Sequence, residues 1–219
     1  MIGAIHTYFE QGGYPVMYSI LLTLIISIAI VVERSYRYWV EYDLVNSSGF
    51  MAMVQKMIMN NSIENAIRLC KKARPKLLPY VLAEGLKRSN DSSQEIQNAV
   101  EHATLAAIPK INKWVGFLAT TANVATLFGL LGTIFGLMHS FAAVATATGA
   151  QKQTLLAEGI AEALSATSFG LGVALFCLFF YGLLTAKQAA MVDDINKNAA
   201  KLNDLLYTRK MKLKGSKSS

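Results

Sequence analysis

Charge is what this sequence has least of. Asp, Glu, Lys and Arg make up 16% of its 219 residues, where a soluble domain carries about 25%. So thin a set of charges excludes an ordinary water-exposed globule. Proline, at 4 residues, and glycine, at 15, are too few for a collagenous or low-complexity chain. At 53% hydrophobic, the chain is too apolar to stay disordered. Two cysteines, Cys70 in a basic segment and Cys177 in an apolar one, exclude a disulfide framework. The three histidines, His6, His102 and His139, have no ligand spacing with each other or with cysteine, so no metal site is expected. G-x-S-x-G, H-E-x-x-H and phosphate-binding-loop patterns are all missing, which leaves hydrolase and nucleotidase chemistry without residues. No catalytic residue and no cofactor is expected.

Long apolar runs take the place of charge. Tyr14–Val32, Trp114–Gln151 and Ala163–Ala186 contain no Asp, Glu, Lys or Arg. About 20 apolar residues cross a bilayer as a helix, so three transmembrane helices are expected. The first is read as a span and not a signal peptide, because its n-region lacks Lys and Arg and no A-x-A-like site follows. The middle run would be roughly 57 Å long as helix, against a hydrocarbon core of ~30 Å. It is therefore expected to project into the cytoplasm.

The basic residues set the topology. Twelve of the 21 Lys and Arg lie between Arg34 and Lys113, eight follow Ala186, and only Lys152 lies elsewhere. Positive residues stay on the cytoplasmic side. The net charge of +7 thus reflects orientation and anionic lipid, and no nucleic-acid partner is expected. The predicted fold class is an all-α integral membrane protein with long cytoplasmic extensions of helices two and three and a helical cytoplasmic segment. Its expected order is a periplasmic stub over 1–13, a first span over 14–32 and a cytoplasmic segment over 33–113. A second span with its extension covers 114–150, a periplasmic loop 151–158, a third span 159–186, and an amphipathic helix with a basic tail 187–219.

Local signals refine this order. Ser19, Thr23 and Ser27 give helix one a mildly polar face, and Tyr36, Tyr38 and Trp39 read as an inner aromatic belt. Ser62 reads as the cap of a helix ending before Pro75, and a further helix is placed after Pro79. Ser92 and Glu95 have capping-box spacing, and the helix they start is expected to run into the 114–150 block, with a kink at Pro109. Met191, Ile195, Ala199, Leu202 and Leu206 form a helical stripe for packing, and beyond Arg209 the tail is read as unstructured.

Two groups of residues point toward function. Helix two carries small residues at Ala122, Thr126, Gly129, Thr133, Gly136, Ser140, Ala143 and Ala147, in a 4-3-4-3-4-3-4 spacing, with Gly132 beside them. In lipid, small residues let helices approach closely. The seam fits ordinary bundle packing and equally a face bordering a second subunit or a pore. Glu162 opens the third apolar block. A carboxylate at that depth is costly and suggests function, yet at a helix start its charge also suits the dipole. Position alone leaves both readings open.

The motif Gly129-Leu130-Leu131-Gly132-Thr133-Ile134-Phe135-Gly136, followed by Phe141, resembles the GLLGTVxG…F signature of the MotA/TolQ/ExbB proton-channel family. Gly159–Thr167 is similar to that family's GIAEALxAT signature. Order, topology and length resemble its TolQ/ExbB branch. The resemblance implies an ion-conducting stator subunit in the bacterial inner membrane, N-terminus periplasmic and C-terminus cytoplasmic, which couples proton or sodium flow to work on the envelope. It implies a pentamer around single-span partners of the ExbD/TolR/MotB type that carry a membrane Asp. It also implies that Thr133 and Thr167 line the ion route and that Glu162 stands at its mouth. The alternative is a non-conducting oligomeric scaffold. Where the family carries prolines, this chain has Thr126 and Phe176, so both helices lose an expected kink site.

Overall fold

The computed structural model describes residues 14–44, 46–73, 75–149 and 151–215. The expected stub over 1–13 lies outside them. No strand occurs among the described residues. The helices are α1 Tyr14–Tyr36, α2 Ser47–Met59, α3 Ile63–Lys72, α4 Leu77–Lys87, α5 Ser93–Asn112, α6 Val115–Thr146 and α7 Gln151–Gly215, with a π-helical turn over Arg37–Tyr42. Three stretches are long and apolar enough to cross a membrane: Pro15–Met59, Ser93–Thr146 and Gln151–Lys212. The chain is an all-α integral membrane protein.

It divides into two units. The first comprises Met1–Glu33 and Trp114–Leu184, and the second Arg34–Lys113 and Thr185–Ser219. Every Lys and Arg except Lys152 falls in the ranges of the second unit. The division in space thus follows the division of charge.

In the first unit, α1, α6 and α7 share a core of Val16, Ile20, Ala122, Ala125, Val173, Ala174 and Cys177, with Leu24, Phe128, Phe169 and Phe176 packed against it. The polar face of α1 turns into this unit. Thr23 and Ser27 are buried, and their hydroxyls donate to the Ile20 carbonyl at 2.6 Å and the Thr23 carbonyl at 2.8 Å. The Cys177 thiol in turn donates to Ser27 Oγ at 3.1 Å. Each buried donor finds an acceptor, as an apolar interior requires. The outward residues, among them Leu22, Leu127, Leu130, Phe141, Leu175 and Phe179, are large and exposed. In lipid such a surface meets its matching solvent.

In the second unit the short helices pack in succession, α2 on α3, α3 on α4 and α4 on α5. The Ser92–Glu95 capping box forms in both directions: Glu95 N–H donates to Ser92 Oγ at 3.2 Å, and Ser92 N–H donates to Glu95 Oε2 at 2.8 Å. Ser62 occupies the cap position of α3, but its hydroxyl donates to the Asn60 carbonyl instead. Pro79 sits inside the first turn of α4, two residues after its start, where its missing N–H has no helical acceptor to lose. The stripe of Met191, Ile195, Ala199, Leu202 and Leu206 is buried. Helix α7 runs on to Gly215, past the expected end of structure at Arg209. Arg209 donates to Asn61 Oδ1 at 2.6 Å and Lys210 to the Asp91 carbonyl at 2.8 Å, which ties the last turns down.

Three further expectations change. The helix begun by the capping box does not continue into the second span. It ends at Asn112, and Trp114 takes a left-handed conformation, φ 65°, before α6 starts at Val115. The carbonyls released at this break are claimed by side chains. Arg34 Nη1 donates to the Lys110 carbonyl at 3.4 Å, Tyr38 Oη to the Ile111 carbonyl at 2.5 Å, and Gln188 Nε2 to the same carbonyl at 3.0 Å. Tyr38 is consequently buried, whereas its expected belt neighbours Tyr36 and Trp39 are exposed. Residues 151–158, expected as a loop, form the first turns of α7. Helix α6 ends at Thr146 and α7 begins at Gln151, with Gly149 between them at φ 51°.

Candidate functional site

Helices α6 and α7 of the first unit meet along small residues on both sides. The buried line on α6 is Leu118, Ala122, Ala125, Gly129, Gly132, Gly136 and Ser140. The facing line on α7 is Gly159, Ala163, Ala166, Gly170, Ala174 and Cys177. The approach is close enough to leave no room for side chains at Gly132, Gly159 and Gly170. A Cβ on Gly170 would stand 2.6 Å from the Ala125 carbonyl oxygen and 3.0 Å from Gly129 Cα, and one on Gly159 would stand 2.2 Å from Ser140 Cβ. Backbones this near gain dispersion contacts along their whole length, the main source of helix association in lipid.

The two sequence motifs are joined at this seam. Thr167 Oγ1, on α7, donates to the Gly129 carbonyl of α6 at 2.9 Å. Gly132 lies against Ala166 and Val16, Gly136 against Ala163, and Ser140 Oγ donates to the Leu155 carbonyl at 3.2 Å. Thr133 is half-buried one step around from Gly132, and its hydroxyl returns to the Leu130 carbonyl of its own helix at 2.6 Å. Thr126 is exposed and its hydroxyl donates to the Ala122 carbonyl at 3.1 Å. Neither α6 at Thr126 nor α7 at Phe176 is interrupted. A residue with an N–H and no ring leaves the helical ladder whole.

Glu162 is half-buried and opens on a cleft of about 500 Å³ at the end of α6 and α7 nearest their connection. Pro15 and Val16 of α1 and Phe135, Met138, His139 and Ala142 of α6 are among its walls. Among the described residues no group of three His, Cys, Asp or Glu could hold a metal ion.

Sequence reasoning missed Ala125, Gly170 and the small line on α7. Their signal was available, since Gly159, Ala163, Ala166, Gly170, Ala174 and Cys177 repeat at spacings of 4, 3, 4, 4 and 3.

The profile of the MotA/TolQ/ExbB proton channel family matches residues 73–197, over half of the chain and inclusive of both motifs. Among curated relatives, the ExbB-like 3 protein of Synechocystis sp. is 30% identical over 174 residues, covering 78% of this chain and 81% of that protein. The Tol-Pal system protein TolQ of Haemophilus influenzae is 35% identical over 129 residues, covering 56% of this chain and 55% of that protein. The biopolymer transport protein ExbB of Salmonella typhimurium is 28% identical over 138 residues, covering 63% and 56% respectively.

Proposed function

The chain belongs to the MotA/TolQ/ExbB proton channel family, and on that premise we propose that it is the multispan subunit of an ion-driven motor in the bacterial inner membrane. Its N-terminus is periplasmic and its basic second unit cytoplasmic. Several copies, five by family resemblance, surround a single-span partner of the ExbD/TolR/MotB type that carries a membrane Asp. Proton flow through the complex, or sodium flow, does work on the envelope in transport, envelope integrity or motility. One charge crossing 100 mV supplies ~2.3 kcal/mol, so each cycle of work draws on several ions.

The observation that carries this reading is the Thr167–Gly129 hydrogen bond at 2.9 Å, which joins the two signature motifs with Thr133 on the same stretch of α6. The hydroxyls of Thr133 and Thr167 are polar groups that this stretch can offer to an ion or to ordered water. Glu162 stands at the edge of the third apolar run, and no Asp or Glu lies deeper within any of the three runs. An elementary charge needs a site that takes it up and gives it back, so the carrier is assigned to the partner's Asp. Burial in a dry lumen favours the neutral form of such a group, and neutralisation frees the partner to move relative to the ring.

The test is substitution at the two threonines. Thr133→Val and Thr167→Val keep the shape and remove the hydroxyl, whereas Thr→Ser keeps it. The Val variants are expected to assemble to the wild-type oligomer by native mass spectrometry and to lose the driven process in cells, with the Ser variants active. Full activity of both Val variants contradicts the lining role and favours a scaffold.

A further inference from the structure

The cleft that holds Glu162 contains one other titratable group, His139. Three elements line it. Helix α1 contributes Pro15 and Val16, α6 contributes hydrocarbon, glycine and His139, and α7 contributes Glu162. Lys152 and Glu158, nearer the start of α7, do not line it. Neither His139 nor Glu162 is engaged in a hydrogen bond or ion pair with another described residue. His139 is exposed and Glu162 half-buried, so the pair runs from open surface to interior. The floor of the cleft reaches Gly132, beside Thr133. At about 500 Å³, the cleft has room for several waters between them.

We propose that His139 collects the proton at the mouth of this chain and hands it to Glu162, a step that rests on the conducting reading above. A ring nitrogen takes a proton from outer water and becomes imidazolium. The imidazolium N–H passes a proton, through the water of the cleft, to a Glu162 carboxylate oxygen. The imidazole returns to neutral and the carboxylate becomes a neutral acid, which releases the same proton inward. Charge and protons balance at each step.

Two physical arguments favour this relay over a carboxylate acting alone. Imidazole is the side chain that gains and loses a proton near neutral pH. A histidine ahead of the carboxylate therefore raises the supply of protons where the outside is neutral. The cleft also suits a proton better than a hard cation. Sodium is held by several converging oxygens. Here the side chains supply one carboxylate, and the flanking carbonyls are engaged within intact helices.

The experiment uses the full chain assembled with its single-span partner in liposomes, with an internal pH dye and a separate sodium indicator. A proton gradient is expected to drive flux at pH 7.5, and a sodium gradient alone to drive none. His139→Gln keeps a polar side chain that cannot be protonated. It is expected to lose flux by about tenfold or more at pH 7.5, and by less as the pH falls toward the carboxylate range. His139→Asn should behave alike, and both should elute as the wild-type oligomer. Wild-type proton flux with an unchanged pH profile in both variants overturns the role of His139 and leaves the conducting function standing. Flux carried by sodium alone overturns it too. Absence of any flux from the wild-type complex removes the function and this inference together.

Discussion

Gly170→Ala adds one methyl group where α6 and α7 run closest. That Cβ would stand 2.6 Å from the Ala125 carbonyl oxygen and 3.0 Å from Gly129 Cα. Both neighbours are backbone, so no rotamer change relieves the contact. Ordinary separations are about 3.5 Å or more, so the helices must part by about 1 Å. Thr167, one turn before Gly170, donates to the Gly129 carbonyl at 2.9 Å, and the same displacement carries that bond out of range. Overpacking of this kind costs about 1–3 kcal/mol, and the lost hydrogen bond adds about 1 kcal/mol. Replacing a helical glycine by alanine offsets about 1 kcal/mol, which leaves a net loss of about 1–3 kcal/mol.

Gly172 supplies the control. It lies two residues further along the same helix, and a Cβ there meets nothing within 4 Å. Gly172→Ala should therefore keep only the helical gain. Thermal unfolding in mild detergent, followed by circular dichroism, separates the two. Gly170→Ala is expected to melt about 3–10 °C below wild type, and Gly172→Ala at or slightly above it. Equal melting of the two variants would refute the claim that the seam is held by backbone approach.

Three other outcomes are expected. Burial pushes the Cys70 thiol from 9.0 up to about 12, so at pH 8 it should resist alkylation in the native chain and react once the chain is unfolded. The sign follows from the same shift: between about pH 9 and 12 the unfolded chain ionises this thiol first, so stability falls as pH rises through that window. Hydrogen bonds from Ser92 hold the Glu95 carboxyl below its usual range; the support it lends to α5 is present above the ordinary carboxylate value and is lost as pH falls through the lowered one, which Glu95→Gln should flatten in an acid titration of helicity. Ser92→Ala removes the other half of the box and is expected to cost about 1 kcal/mol in unfolding experiments.

The three spans were legible because a charge-free run of twenty residues or more has few other solutions, and the capping box and the stripe from Met191 to Leu206 were legible because each is a local pattern. The face of α6 that meets α7 was harder to read. Thr126 and Thr133 lie beside Ala125 and Gly132, all four are small, and a step of one residue turns the helix by about 100°. Size alone does not say which of two small neighbours faces the partner helix. The break at Trp114 was not legible either, because it is fixed from a distance, by Arg34, Tyr38 and Gln188 claiming the last carbonyls of α5. Nothing within Asn112-Lys113-Trp114 spells a stop. Nor did spacing bring His139 and Glu162 to one cleft, which they line although they are 23 positions apart on two helices.

On the proposed function, this chain conducts only as part of a complex. The most direct test is ion flux into liposomes holding the purified chain alone, the chain with its single-span partner, and the chain with a partner whose membrane Asp is replaced by Asn. The expected result is no flux from the chain alone, flux with the partner, and its loss on the Asp→Asn change. Strong flux from the chain alone would contradict it.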